Sequence, residues 1–308
     1  MQEIEKIRRE ILRLESVNII IVLVIFGAWA YMLSQGILPI YSQTIEEIVA
    51  TIGSIIVSIL ITVLISAATV GPLIREKKKE YRKAYKEYFV SGALKIVFTN
   101  IEYDHEKGLH KSIPDSTGVI MLGREYQSND LITAKYKDRE FMQADVHIYD
   151  ETSNVTHTYF KGRWMLFRFP KQFKHKLIVI DKKYKKLIQP FIYVQQKDKY
   201  KRIETESDEF NKVFDIYAED DFEAFYLLDP SFIDQTESLR KSHKGKVLLV
   251  FDKDLMHVAI DDRNDAFEPP SPLKKIKEQE EMQHVVEEIK LITNYIDSLK
   301  LKSSLFKK

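Results

Sequence analysis

Hydrophobic and polar positions fall into three regimes along the chain: unbroken apolar runs, a helical period and a period of two. No Asp, Glu, Lys or Arg occurs from Ser16 to Ile45, nor again from Ile48 to Ile74. The apolar core of the first run covers residues 18–38. As a helix it measures roughly 30 Å, the thickness of a bilayer's hydrocarbon. The second run, 48–74, is long enough to span with some tilt. The short link Gly36–Glu47, with Pro39, joins them. Lipid-exposed backbone must satisfy its own hydrogen bonds, so 18–74 is expected to form a transmembrane helical hairpin. Gly71-Pro72 is expected to kink or end its second helix. Ala50, Ser54, Ser58 and Ser66 recur at four-residue steps or multiples of them, a stripe that lets Gly27 and Ala30 of the first helix approach closely.

The helical period marks the flanks. Ile4, Ile7, Ile11 and Leu14 give the arm, 1–17, an amphipathic seam. Tyr81, Tyr85, Tyr88, Phe89 and Leu94 do the same for a basic juxtamembrane helix within 75–104. In the last segment, 272–308, Met282, Val285, Ile289, Ile292, Ile296 and Leu299 follow coiled-coil spacing over a helix from Pro272 to Lys300. This seam suits docking on the arm or elsewhere on the same chain, or self-association into a homo-oligomer.

The period of two dominates 105–271. Met142, Ala144, Val146 and Ile148 alternate with Gln143, Asp145 and His147, which predicts a half-buried strand over Phe141–Tyr149. A turn at Asp150–Asn154 and a return strand over Val155–Phe169 complete a hairpin. Shorter strands are expected at Val119–Leu122, Leu177–Ile180 and Leu187–Val194, the last at an edge because of Pro190. Gly245–Phe251 and Leu255–Ile260 read as a hairpin turning at Asp252-Lys253-Asp254. Asp220 or Asp221 can cap a helix, with Glu223 reaching back as in a capping box. Asp229-Pro230 starts a second helix, to about Ser242. The fold class is therefore α+β: a transmembrane hairpin, a mostly antiparallel sheet with flanking helices, and a C-terminal amphipathic helix.

Charge orients the hairpin. Lys6, Arg8, Arg9 and Arg13 precede it; Arg75, Lys77, Lys78, Lys79, Arg82, Lys83 and Lys86 follow it; the link has no Lys or Arg. The positive-inside rule puts both termini in the cytoplasm at the cell membrane, with the basic collar from Arg75 to Lys83 facing inner-leaflet lipid. A second basic stretch, Lys171, Lys174, Lys176, Lys182, Lys183, Lys185 and Lys186 with Phe173 and Tyr184 interleaved, fits lipid headgroups or solvated strand edges better than nucleic acid. The formal net charge of +1 gives no global attraction to polyanions. The 308 residues contain no Cys, which removes disulfides, thiolate metal sites and a cysteine nucleophile. The 16 Tyr and 17 Phe supply core for an ordered domain.

Candidate chemistry is sparse. Glu219, Asp220, Asp221 and Glu223 form an acidic cluster of the kind that can hold Mg²⁺ or Ca²⁺, though acidic residues also favour helix N-termini without metal. His147 and His157 are expected to face each other across the Phe141–Phe169 hairpin near Asp145, which would suit a transition metal. Phosphate-binding glycine loops and nucleophile elbows are absent, and no cofactor is expected.

The stretch FNKVFDIYAEDDFEAFYLLDPSF, Phe210–Phe232, resembles the signature of a bacterial two-pass membrane family called domain of unknown function 3137. The residues that carry it are Phe214, Asp221, Glu223, Ala224, Tyr226, Leu227, Leu228, Pro230 and Phe232, preceded by Phe160 and Gly162 of an F-x-G element and followed by Phe267-Glu268. Phe225 departs from the pattern, where the family often has a polar residue. The resemblance covers most of residues 90–270. It implies a two-pass anchor with a cytoplasmic domain and no particular activity. The expected function is a membrane-anchored interaction or scaffold module that binds a protein partner or the inner leaflet. A membrane-anchored metal-dependent hydrolase is the alternative, and a transporter subunit is disfavoured by the charge-free hairpin.

Overall fold

The computed structural model of the protein describes residues 1–35, 44–120, 123–136, 139–153, 155–184, 199–242 and 245–298. The chain forms two compact units, one of residues 1–88 with 269–281, the other of 89–268 with the C-terminal residues from 282.

The first unit is a helical pair. Helix α1 runs unbroken from Gln2 to Ser34 and α2 from Ile45 to Tyr85. Both contain stretches long and apolar enough to cross a membrane. The amphipathic arm is thus the first turns of α1. Ile4, Ile7 and Ile11 are buried, and Glu10 and Glu15 of α1 pair with Lys77 (3.1 Å) and Lys78 (2.9 Å) of α2. The seam of the arm is therefore buried within this unit, where Arg8 also donates to Pro272 O at 2.9 Å. Nearer the apolar section, the Ser66 hydroxyl donates to Asn18 Oδ1. This contact places a member of the small-residue stripe, Ser66, between the two helices; Ser58 instead bonds back to its own helix, at Ser54 O. Gly71-Pro72 neither ends nor interrupts α2, which continues to Tyr85. Proline here forfeits one hydrogen bond, and the residue four positions back, Ala68, is small. The juxtamembrane segment is accordingly an extension of the second long helix. A π-helical turn (Lys86–Val90) and α3 (Ser91–Val97) follow, so helix ends before Thr99 and not near residue 104.

Among the described residues the second unit is a seven-stranded antiparallel sheet: β1 (Thr99–Asp104), β2 (Glu125–Tyr136), β3 (Arg139–Glu151), β4 (Thr156–Asp181), β5 (Lys201–Ile203), β6 (Phe214–Ala218) and β7 (Lys246–Asp261). Their order is β1-β2-β3-β4-β6-β5, with β7 on β4. Strand β4 organises the sheet. Its first half pairs with β3, its last residues with β6, and β7 runs beside it from Arg163↔Ile260 to Ile180↔Leu248. The expected α+β class with an antiparallel sheet is the one observed.

Several expected elements differ. Val155–Phe169 and Leu177–Ile180 are parts of the single strand β4, and Asp252-Lys253-Asp254 is no turn. Lys253 sits at φ 55° opposite Phe173, a bulge where both strands lose register and then resume it. Bulges and turns share polar residues, so the sequence shows the same interruption for either. Val119 and Ile120 are buried but lie outside any strand, whereas β1 and β2, which the sequence did not suggest, are present. Met121 and Leu122, Leu187–Val194, Lys185 and Lys186 lie outside the described residues.

One face of the sheet holds the main core: Ala144, Val146, Ile148, Phe160, Trp164, Leu166, Ile178, Val250 and Ala259 pack with Leu109, Val119 and Ile120 from the β1–β2 connection, which contains α4 (Ser112–Ser116). Strand β3 is buried on its other face too, at Gln143 and Asp145, so it is more enclosed than the half-buried strand its pattern predicted. On this second face Phe251 of β7 meets Phe232 of a helix below (5.7 Å between ring centroids), and Arg163 binds the main chain and carboxylate of Glu288.

Among the described residues the unit also has α5 (Asp208–Val213), α6 (Asp221–Leu227) and α7 (Pro230–Ser242). Helix α8 spans Glu278–Ser298, starting six residues later than expected. Val285, Ile289 and Ile292 of its seam are buried within the chain; Leu299 lies outside the described residues.

Candidate functional site

The acidic cluster at the start of α6 is not one site. Asp220 caps the helix, accepting from Glu223 N at 2.9 Å. Glu219 accepts from Lys176 N (3.0 Å) and pairs with Lys199 (2.7 Å). Burial pushes Glu219 up, but these donors outweigh it and leave its carboxyl below the usual range. Asp221 pairs with Lys201 at 3.4 Å. Glu223 does not complete a capping box. Its carboxylate accepts from Lys174 N (3.2 Å) and His175 N (2.9 Å), fastening α6 to the irregular middle of β4. Asp229 caps α7 by accepting from Phe232 N at 2.9 Å, as its Asp-Pro start predicts.

The signature residues thus divide into fasteners (Asp221, Glu223), core (Phe160, Phe214, Ala224, Leu227, Leu228, Phe232) and surface (Tyr226, Pro230). Gly162 is a steric requirement. Its φ is +155°, and a Cβ there would lie 2.1 Å from Ile260 O.

His147 and His157 do not face each other. In the register His147 lies opposite Lys161 and His157 opposite Asp150. His147 stacks on Tyr149 and touches Thr158 Oγ1 at 3.2 Å. Burial first, then Lys161 and Arg263, hold its pKa below the usual imidazole value. The pairing reflects the true turn, in which β3 extends to Glu151 and a bulge follows Ile148.

The sheet does gather carboxylates, but others. A bulge in β2 between Asn129 and Ile132 sets Asp130 at φ 57° and buries it. Asn129 pairs with Asp145 of β3, and Asp145 in turn with Arg163 of β4. The segment after β7 turns at Arg263 (φ 62°) and Phe267 (φ 61°) and brings Asp265 and Glu268 to the same place. Ligand oxygens of Asp130, Asp265 and Glu268 lie within 4.8 Å of one another. Tyr103 OH and Asn129 Nδ2 donate to the two oxygens of Asp130 at 2.5 and 2.7 Å. Ala266 N donates to Asp145 Oδ2 at 2.6 Å.

The fields agree with the geometry. Burial, then Asp130, Asp145 and Glu268, push Tyr103 up. Burial pushes Asp145 well above the carboxylate range; Arg163 opposes this, while Asp130 and Asp265 add to it.

On the sheet's main-core side, a cleft of about 680 Å³ is lined by Phe141, Met142, Leu166, Leu255 and His257 with Arg168. His257 is buried, and its Nδ1 accepts from Trp164 Nε1 at 3.3 Å.

These features define a class: an α+β domain with an antiparallel sheet, on a chain whose N-terminal helices are long and apolar enough to cross a membrane. Residues 158–301 match the model of the family described as "Protein of unknown function (DUF3137)". The resemblance carried by Phe210–Phe232 is thereby borne out, over a segment that starts later than residue 90 and runs on through α8. Comparison with curated proteins returns no match. Among solved structures, the crystal structure of the mycobacterial trehalose monomycolate transport factor A, TtfA, is similar at 8% identity with a TM-score of 0.35, over 71% of this chain and 94% of that one. That likeness is too slight to carry an argument.

Proposed function

We propose that this protein is a membrane-anchored interaction module: the hairpin crosses the cell membrane twice, both termini are cytoplasmic, and the sheet domain binds a protein partner or the inner leaflet. The observation that carries the reading is the exposed apolar surface of α1 and α2. Ile19, Leu23, Val24 and Phe26 on one helix, and Leu60, Leu64 and Ile65 on the other, are each more than half exposed. In water such a belt is a large unsatisfied patch; in lipid it is ordinary helix surface. The charge asymmetry supports the sidedness. The collar keeps exposed cations such as Lys83 (3.9 Å from Glu87), although Lys77 and Lys78 spend part of their charge on Glu10 and Glu15.

The interaction role is supported by α6. Phe222 is 86% exposed, and Phe225 and Tyr226 more than half. Aromatic side chains in such positions serve protein interfaces and membrane surfaces alike. Membranes carrying the full chain, solubilised for capture with and without cross-linking, test this. The intact protein is expected to recover partners or anionic vesicles that the Phe222→Ser/Phe225→Ser variant recovers at least about fivefold less well, consistent with losing two aromatic anchors. If a hairpin alone recovers the same partners as the whole chain, the sheet domain is not the binding element.

A further inference from the structure

We propose that Asp130, Asp265 and Glu268 form a binding site for one hard divalent cation, Ca²⁺ or Mg²⁺, that clamps the segment after β7 onto β2 and β3. The three come from two separate parts of the chain, and their oxygens meet within 4.8 Å. Asp130 is buried, and both its oxygens already have donors, from Tyr103 and Asn129. Such contacts fix the orientation of a ligand carboxylate. The set is all oxygen, which selects a hard cation over zinc or copper.

A separate observation points to something missing from the protein's own partners. Asp145 is 4% exposed, yet its Oδ1 is enclosed and has no hydrogen-bond partner; Oδ1 of Asp265 is in the same position. Asp145 lies opposite Asn129, next to the bulge that carries Asp130, and its other oxygen holds Ala266, between Asp265 and Phe267. Hard cations keep some of their water, and a metal-bound water supplies the donor that Asp145 Oδ1 lacks. Arg163 beside Asp145 acts on it by charge, but its guanidinium gives its bonds to Glu288 and not to Oδ1. Carboxylates gathered this closely repel one another, and a bound cation relieves that repulsion.

The site explains why the segment that carries the Phe267-Glu268 pair takes two left-handed residues, Arg263 and Phe267, to reach the sheet. It does not depend on the interaction reading, and its test uses no partner. Terbium replaces calcium at oxygen sites and is excited by nearby tyrosine, here Tyr103. The full-length protein in detergent is expected to give saturable terbium emission displaced by calcium or magnesium, and a higher melting temperature in millimolar calcium or magnesium. Asp265→Asn and Glu268→Gln are each expected to weaken binding at least about tenfold. Without metal, Asp265→Asn is expected to melt at or above the wild-type temperature, because it removes like-charge repulsion; that also shows it folds. Glu204→Gln, an exposed carboxylate elsewhere, is expected to change nothing. Terbium emission and melting that respond to cations equally in the wild type and in both site variants, or in none of them, would overturn the proposal.

Discussion

Gly162→Ala is expected to destabilise the sheet domain by about 3 kcal/mol or more, lowering its melting temperature by roughly 10 °C. Two causes act together. The φ of +155° is one an L-residue rarely adopts, and the new methyl would lie 2.1 Å from Ile260 O and 3.0 Å from Asp262 Oδ1. The Ile260 carbonyl is main chain and does not yield easily. Gly162 is paired with Val146 on one side, while the next residue, Arg163, pairs with Ile260 on the other, so relief requires parting β4 from a flanking strand. Gly118 separates the two causes. Its φ is +67° with nothing within 4 Å of a built Cβ, so Gly118→Ala meets only the backbone preference and is expected to cost about 1 kcal/mol. Thermal melts of the two variants check the ranking. Equal losses would mean that close approach to Ile260 is unimportant.

The second large effect is on pH dependence. Burial lowers the His257 pKa from 6.5 to about 4, with Asp252 opposing and Lys176 adding to the shift. Above the unfolded value of 6.5, neither state binds the proton, and the neutral imidazole is buried without penalty. Between 6.5 and about 4 the unfolded chain takes up a proton that the folded one refuses, so stability falls as pH falls. The shift corresponds to about 3 kcal/mol, lost progressively over that window. The group is enclosed, so solvent screening takes little from this figure. Asp145 acts with the opposite sign, since its raised folded pKa favours the folded state as the medium becomes acid. The informative quantity is therefore the difference between the wild type and His257→Gln, which keeps an acceptor for Trp164. Denaturant titrations from neutral pH to pH 4 are expected to show the variant's stability falling less steeply, by about 3 kcal/mol across the range. Parallel profiles would show that His257 does not titrate in the unfolded chain alone.

What could be read from the sequence was local. The apolar runs before Arg75 became helices because composition alone sets that outcome, and the Asp229-Pro230 start placed α7 because a cap and its helix are neighbours in the chain. The long ribbon of β4 and β7 could not be read. Its two strands break step at Arg168–Phe173 and at Lys253, and in sequence a bulge shows the polar interruption of a turn. The acidic cluster was hidden for a related reason. Asp130 and Asp145 come together only through β2–β3 pairing, and the pattern around Ile132 and Ala134, the one signal for β2, is shortened by the bulge at Asp130. The visible cluster, Glu219 to Glu223, drew attention by proximity in sequence, yet its members turn to different partners. For the histidines, the error was one of register: the turn after Glu151 sets His157 against Asp150. Phe267-Glu268 entered with the resemblance, and nothing in the sequence linked Glu268 to Asp130.

The central claim is the sidedness of the anchor, and the chain's lack of cysteine makes it directly measurable. Single cysteines at Ser42, between the two apolar runs of the sequence, and at Lys253, on the exposed bulge of β7, would be treated with a membrane-impermeant maleimide on sealed cells and after lysis. The account predicts that Ser42→Cys reacts on sealed cells and Lys253→Cys only after lysis. Labelling of Lys253→Cys on sealed cells, with Ser42→Cys protected, would contradict it.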